Sequence, residues 1–251
     1  MNVFLTTLLK ILNNPEIKSS DYQIACTLVD LSSQISNLTI QELAEKCYVS
    51  VSTLKRFFNQ YGFNKYSIFK TTFLTQIEVR KSQMRKRKQL KKYEDLQKVF
   101  QTLLSNDEYE KIITNDKIYN IIDKINESKR IILIGSDEMI AHALRLQGDL
   151  CALGKLSIQG SLFTKSFITP NKDDLVIVFS MSGRILGLNS TLMDRLKENN
   201  PYIVYIGQEQ LAVTDEFLYI PSSVDETIKN LFLDYYLDEI DMKYMEKYYD
   251  Y

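Results

Sequence analysis

A chain of 251 residues, 45% hydrophobic and 25% charged, has the make-up of an ordinary globular protein and is long enough for two domains. No apolar run approaches the roughly 18 residues that a membrane-spanning helix needs, and the opening MNVFLTTLLKILNNP lacks the basic start and cleavage site of an export signal, so a cytoplasmic protein is expected. The net charge of −1 conceals a division: residues 1–92 carry 15 Lys/Arg against 6 Asp/Glu, a net of +9, and residues 93–251 carry 16 against 26, a net of −10. A basic half attracts phosphates, whereas the acidic half is repelled by nucleic acid.

The first 90 residues are expected to be helical. Pro15 is the only proline before residue 170. Ser20 or Asp21 can cap a helix whose apolar positions Ile24, Leu28 and Leu31 recur at helical spacing. In TIQELAEKCYVSVSTLKRFFNQYGF (39–63), Thr39 with Glu42 has the pattern of a capping box. It opens a short helix that turns Ile40, Leu43 and Ala44 inward and ends near Cys47. Ser50 can cap a second helix, along which Leu54, Phe57, Phe58 and Tyr61 form an apolar stripe and after which Gly62 is placed as a stop. Two short helices joined by a turn of about three or four residues make a helix-turn-helix.

Residues 64–92 are predicted to continue as a helix that runs into a linker. The stretch RKSQMRKRKQLKK (80–92) is basic with few apolar side chains, which fits a solvated face or linker, or an arm that touches phosphates. From about residue 107 the pattern alternates. KIYNIIDKINES (117–128) has helical amphipathicity, and RIILIG (130–135), KLSIQG (155–160), DLVIVFS (174–180), YIVYIG (202–207) and EFLYIP (216–221) have the form of buried strands. Helical stretches such as 138–152 and 184–199 separate several of them. Continuous Val/Ile/Leu runs between helices predict a five-stranded parallel sheet covered on both faces, a doubly wound, flavodoxin-like α/β/α sandwich with its ligand crevice at the carboxyl ends of the strands. The expected division is a helix-turn-helix domain over 1–79, a basic linker over 80–106 and an α/β domain over 107–251. ETIKNLFLDYYLDEI (226–240) offers an apolar face either to a second subunit or to the sheet.

Off the apolar stripe of the second helix stand Ser52, Thr53, Lys55, Arg56, Asn59 and Gln60, side chains of the kinds that contact phosphates and base edges. The solvated face of a small helical bundle has a similar composition. The capped turn and the basic half favour double-stranded DNA, with Ser50, Ser52, Thr53, Lys55, Arg56 and Asn59 as the candidate contacts. A second constellation is a pair of strand-to-helix turns: Gly135, Ser136 and Asp137 after the first strand, and Ser180, Ser182, Gly183 and Arg184 after the third. Such turns present backbone N–H groups and hydroxyls at the positive end of a helix, a setting suited to phosphate, and both lie where they can line one effector crevice. Ordinary βα turns can have the same composition. No catalytic pattern is present: the only histidine, His142, falls on a predicted helix, and HExxH, CxxC, P-loop and GxSxG motifs are all missing. Cys26, Cys47 and Cys151 are odd in number and widely spaced, as for reduced thiols rather than a disulfide framework or metal ligands. No metal and no cofactor are expected.

These residues resemble the RpiR-type bacterial regulators, which join a helix-turn-helix to a SIS (sugar isomerase) domain. IQELAEKCYVSVSTLKRFFNQYGF is similar to the family's IQELAEKAGVSxATISRFCxKLGF, with Ser50, Thr53, Arg56, Phe57, Gly62 and Phe63 on matching positions. Tyr48 replaces the usual turn glycine, so that the turn must avoid the left-handed conformation or strain to hold it. Lys55 stands where the family often has serine. Over about residues 107–240, RIILIGSDEMIA is similar to the SIS strand ending in GSS, and VFSMSGR to its SxSGxT loop. Asp137 takes the place of a second serine and Ile185 that of a threonine that commonly contacts phosphate; Gly207-Gln208-Glu209 also lacks the usual Ser/Thr. The resemblance implies a transcriptional regulator of sugar or phosphosugar metabolism genes. Its implied partners are operator DNA, a small-molecule effector of which a sugar phosphate is one candidate, and further copies of itself in a homodimer or homotetramer; no membrane partner is implied. The alternatives are a phosphosugar isomerase with an added helical domain, a helical domain that contacts protein, and an α/β domain that serves only as a dimerisation scaffold.

Overall fold

The computed structural model describes residues 3–14, 20–89, 92–112, 115–160, 169–181 and 190–249. The amino-terminal part comprises α1 (Val3–Leu12), α2 (Ser20–Asp30), a 3-10 turn (Ile35–Asn37), α3 (Ile40–Lys46), α4 (Val51–Gln60) and α5 (Tyr66–Gln89). Aromatic rings fill its centre. Phe58 stacks on Phe69 with centroids 4.0 Å apart, and Phe4 meets Phe63 and Phe69 edge-on at 5.2 and 5.3 Å. Offset and edge-on pairs of this kind add to the large area each ring buries, which lets a small helical unit hold a defined shape.

After α6 (Lys92–Leu103), α7 (Asn106–Ile112) and α8 (Asn115–Glu127), strands and helices alternate: β1 (Arg130–Ile134), α9 (Asp137–Ala152), β2 (Ser157–Gly160), β3 (Asp174–Ser180), α10 (Ser190–Asn199), β4 (Tyr202–Gly207), β5 (Glu216–Tyr219) and α11 (Glu226–Tyr248). All five strands are parallel, in the order β2-β1-β3-β4-β5, with Ile131 opposite Leu175 and Val178 opposite Tyr205. Successive residues point to opposite faces. Ile131, Leu133, Ile177 and Ile206 pack under Phe100, Ile121, Leu150, Phe232 and Tyr236, while Ile132, Ile134, Val178 and Tyr205 share a core with Leu192 and the amino-terminal helices. The doubly wound sheet is the one expected, and its strands differ from the five apolar runs by at most two residues at either end.

The helical part does not hang free of the sheet. Helix α1 lies on β2 and α9, where the Asn13 side chain forms a reciprocal amide pair with Gln147 (3.0 and 2.6 Å) and accepts from the Gln159 N–H at 3.0 Å. Helix α5 continues unbroken through residue 89, and its last turns are clamped to the α/β part. Arg80 and Arg87 are both ion-paired with Asp149, which is fully buried, and Arg87 also reaches Asp241 at 2.6 Å. Met84, between them, is buried. For Arg80 and Arg87 the expectation of a solvated linker or a phosphate-touching arm is therefore corrected, while Arg85 and Lys86 of the same run are exposed. Buried carboxylates on α9 and α11 require cations, and two of this run's arginines supply them. The apolar face of α11 is likewise occupied within the chain: Phe232, Leu233, Tyr236, Leu237 and Ile240 are buried, and the helix packs on α8 and α9.

Candidate nucleic-acid interface and effector crevice

The two helices of the motif are set by their caps. Thr39 Oγ1 accepts from the Glu42 N–H at 3.2 Å, while the Glu42 carboxylate accepts from the Thr39 N–H and hydroxyl, both at 2.8 Å. Those two donors hold the Glu42 carboxyl below its usual range. Ser50 opens α4 by accepting from the Thr53 N–H at 3.1 Å, and its hydroxyl also meets those of Ser52 and Thr53 at 2.7 and 2.9 Å. Gly62, at φ 87°, closes α4, with its N–H donated to Asn59 O at 3.0 Å.

Leu54, Phe57 and Phe58 are buried, and this turns Ser52, Lys55, Arg56, Asn59 and Gln60 to solvent, with Thr53 half-buried. Ser52, Arg56 and Asn59, at i, i+4 and i+7, form one line along the outer face. Of the six expected DNA contacts, Ser50 and Thr53 serve first as the cap. Beside the line, Lys55 and Asn59 border a cavity of about 340 Å³, together with Asn64 and Lys65 over a floor that includes Phe58 and Phe63. Asn64 and Lys65 lie beyond the end of α4 and are not among the expected contacts, although a Lys soon after the stop glycine is a sign in the sequence. The turn before α4 holds the left-handed conformation without a glycine, Tyr48 having φ 54°.

In the α/β part the strand order reverses between β1 and β3, the position at which a doubly wound sheet is expected to take its ligand. The parallel pairing of β1 with β3 sets Gly135 next to Phe179, the residue before Ser180: a Cβ on Gly135 would lie 3.2 Å from that of Phe179. Ser136 caps α9, accepting from the Met139 N–H at 3.5 Å. Asp137 and Glu138 are exposed on the first turn, where they favour the helix but oppose an incoming anion. The Ser180 hydroxyl is buried with no hydrogen-bond partner among the described residues, and its carbonyl accepts from the Tyr205 hydroxyl at 3.4 Å. Burial pushes that phenol's pKa up. Only a glycine fits next to it: a Cβ on Gly207 would stand 2.5 Å from Ser180 O and 2.7 Å from the Tyr205 ring. Ser182, Gly183, Arg184 and Ile185 lie outside the described residues. His142 Nδ1 pairs with Asp234 at 2.9 Å, a link between α9 and α11. Among the described residues no cluster of three or more His, Cys, Asp or Glu could hold a metal, and no helix is long and apolar enough to cross a membrane.

A capped helix-turn-helix with a polar outer face, joined to a five-stranded parallel sheet, is the architecture expected from the sequence. No protein-family model matches the chain. It is 25% identical over 221 residues to an uncharacterized HTH-type transcriptional regulator in the aarA 3′ region of Providencia stuartii, which spans 84% of this chain and 78% of that one. That relative, the capped motif and the parallel sheet make the chain similar to HTH-type transcriptional regulators. Among solved structures, the Vibrio vulnificus NanR protein complexed with ManNAc-6P aligns over 96% of this chain and 92% of its own, at 17% identity and a TM-score of 0.46. The sugar isomerase domain of an RpiR transcription factor from Sphaerobacter thermophilus aligns over 53% and 82%, at 18% identity and a TM-score of 0.41.

Proposed function

We propose that this regulator binds double-stranded operator DNA in the cytoplasm through the outer face of α4. Residues 1–79 form the DNA-binding unit, and residues 107–251 respond to a small molecule in the crevice at the ends of β1 and β3. The observation that carries this reading is the line Ser52–Arg56–Asn59, held on a doubly capped helix over an aromatic core. A hydroxyl, a guanidinium and an amide are suited to phosphate and base edges. One short helix reads few base pairs, so a homodimer or homotetramer on paired half-sites is the binding form.

For the effector, the spare Ser180 hydroxyl and the N–H groups opening α9 favour a small anionic or hydroxyl-rich ligand of the sugar-phosphate class. The genes controlled are then those of sugar or phosphosugar metabolism. A regulatory rather than a catalytic role fits a crevice whose described groups are hydroxyls, peptide N–H groups and two carboxylates at one helix end. Turnover of a sugar phosphate by the chain would favour an isomerase instead. The deciding experiment for DNA binding is a gel shift, titrated with salt, on the region upstream of the protein's own gene. Affinity should fall linearly on a log–log plot as salt rises. Absent or salt-independent binding would reject the reading in favour of a protein-contacting helical domain.

A further inference from the structure

Tyr48 occupies the turn between α3 and α4, two residues ahead of the Ser50 cap. The turn is closed by backbone bonds from the Tyr48 N–H to Glu45 O and from the Val49 N–H to Ala44 O, both 3.0 Å. Those bonds impose the left-handed conformation whatever side chain is present. For tyrosine that conformation is strained, because Cβ crowds the following carbonyl. The ring does nothing inside the chain to offset the strain. It is 87% exposed, with no hydrogen bond and no ring contact among the described residues. A strained, exposed aromatic that glycine would relieve points to a contact outside the chain.

We propose that Tyr48 is a DNA-backbone contact, packing its ring on a deoxyribose and donating its hydroxyl to a phosphate beside the groove that receives α4. This rests on the DNA-binding reading above. The residue stands two positions ahead of the cap of the helix that carries Ser52 and Arg56, within the half of the chain with a net charge of +9. A protein-docking surface would surround such a ring with other exposed apolar groups. Between residues 39 and 65, Tyr48 is the only large hydrophobic residue of high exposure among the described residues. An isolated amphipathic ring suits a sugar–phosphate wall, and the contact positions the protein without reading sequence.

The test uses the full chain with two labelled duplexes: the region upstream of its own gene and an unrelated sequence of equal length. Tyr48→Gly should raise Tm by about 2–4 °C through relief of backbone strain. It should also weaken binding to both duplexes about tenfold. Tyr48→Phe, which keeps the ring, should lose part of that affinity. Because a neutral phenol displaces no counterion, the salt slope should stay as in the wild type, whereas Arg56→Ala should flatten it by about one if that guanidinium meets a phosphate. Wild-type affinity in Tyr48→Gly, with Arg56→Ala impaired, overturns this proposal alone. So does a loss confined to one duplex, or a change in self-association with DNA binding intact, which would make the ring a protein contact. Failure of the wild-type chain to bind either duplex overturns the DNA-binding reading and this proposal with it.

Discussion

The Arg87 guanidinium donates to the carboxylates of both Asp149, on α9, and Asp241, on α11, the latter at 2.6 Å. One cation thereby ties α5 to two helices of the α/β part, with Arg80 as a second grip on Asp149. Burial, reinforced by the neighbouring Asp149 charge, pushes the Asp241 carboxyl well above its usual range against the pull of Arg87.

Removing that cation leaves the buried Asp241 without a cation among the described residues and Asp149 with Arg80 alone. Arg87→Ala should lose about 3–5 kcal/mol of stability, read as a lowered urea midpoint near neutral pH. Arg87→Lys should not rescue it, since one ammonium cannot span both acids as a planar guanidinium does. The sign with pH follows from the raised Asp241 pKa. A carboxyl that is neutral needs no cation, so the deficit is full above that pKa and shrinks as pH falls through it. A loss below about 1 kcal/mol, the range of surface ion pairs, would show the cluster to be loosely hydrated.

On the outer face of α4, Arg56→Ala should leave Tm unchanged, because the side chain is exposed. It should weaken operator binding by about 1–3 kcal/mol, chiefly at one base pair or phosphate. Equal affinity for Arg56→Ala, Lys55→Ala and the wild type in a binding titration would remove α4 from the interface.

The three thiols give a pH prediction. Burial raises Cys26 and Cys47 to about 11 and Cys151 to about 12. Their folded pKa values lie above the unfolded one, so the stability they contribute is complete below about pH 8.5 and drains away as pH rises through 11–12. Alkylation at pH 8 should therefore be slow for the folded chain and fast in denaturant. A thiol that reacts at once in native buffer would contradict the packing around it.

The crevice makes a prediction through Ser180. Since its hydroxyl has no described partner, Ser180→Ala should not destabilise the ligand-free protein, yet it should abolish any thermal stabilisation by a bound sugar phosphate. Asp137→Ser combined with Ile185→Thr should strengthen that binding by removing a repelling charge and restoring a donor. If no hexose, pentose or amino-sugar phosphate shifts Tm in either form, the α/β domain is a dimerisation scaffold.

Much of this was legible in the sequence. The strands announced themselves as short Val/Ile/Leu runs between helices, and Thr39, Ser50 and Gly62 marked helix ends through local rules that need no tertiary context. Tyr48 posed an alternative that only the backbone could resolve. The clamp was missed because composition over 80–92 matches a solvated segment and the partner carboxylates lie 62 and 154 residues from Arg87. Two faint signs existed: Arg80, Met84 and Arg87 share one helical face, and Asp149 sits alone among apolar residues, where a carboxylate must find a cation.

The amide of Asn13 has one more consequence. Among the described residues strand β2 is the last in its sheet on that side, and an open sheet margin is a template on which foreign strands can grow. By accepting from the Gln159 N–H, Asn13 takes up one of the donors on that margin while α1 covers it. The helix that begins the amino-terminal helical part thus also shields the open margin of the sheet. Truncations or insertions that lift α1 should yield insoluble protein before they yield a regulator with altered DNA affinity.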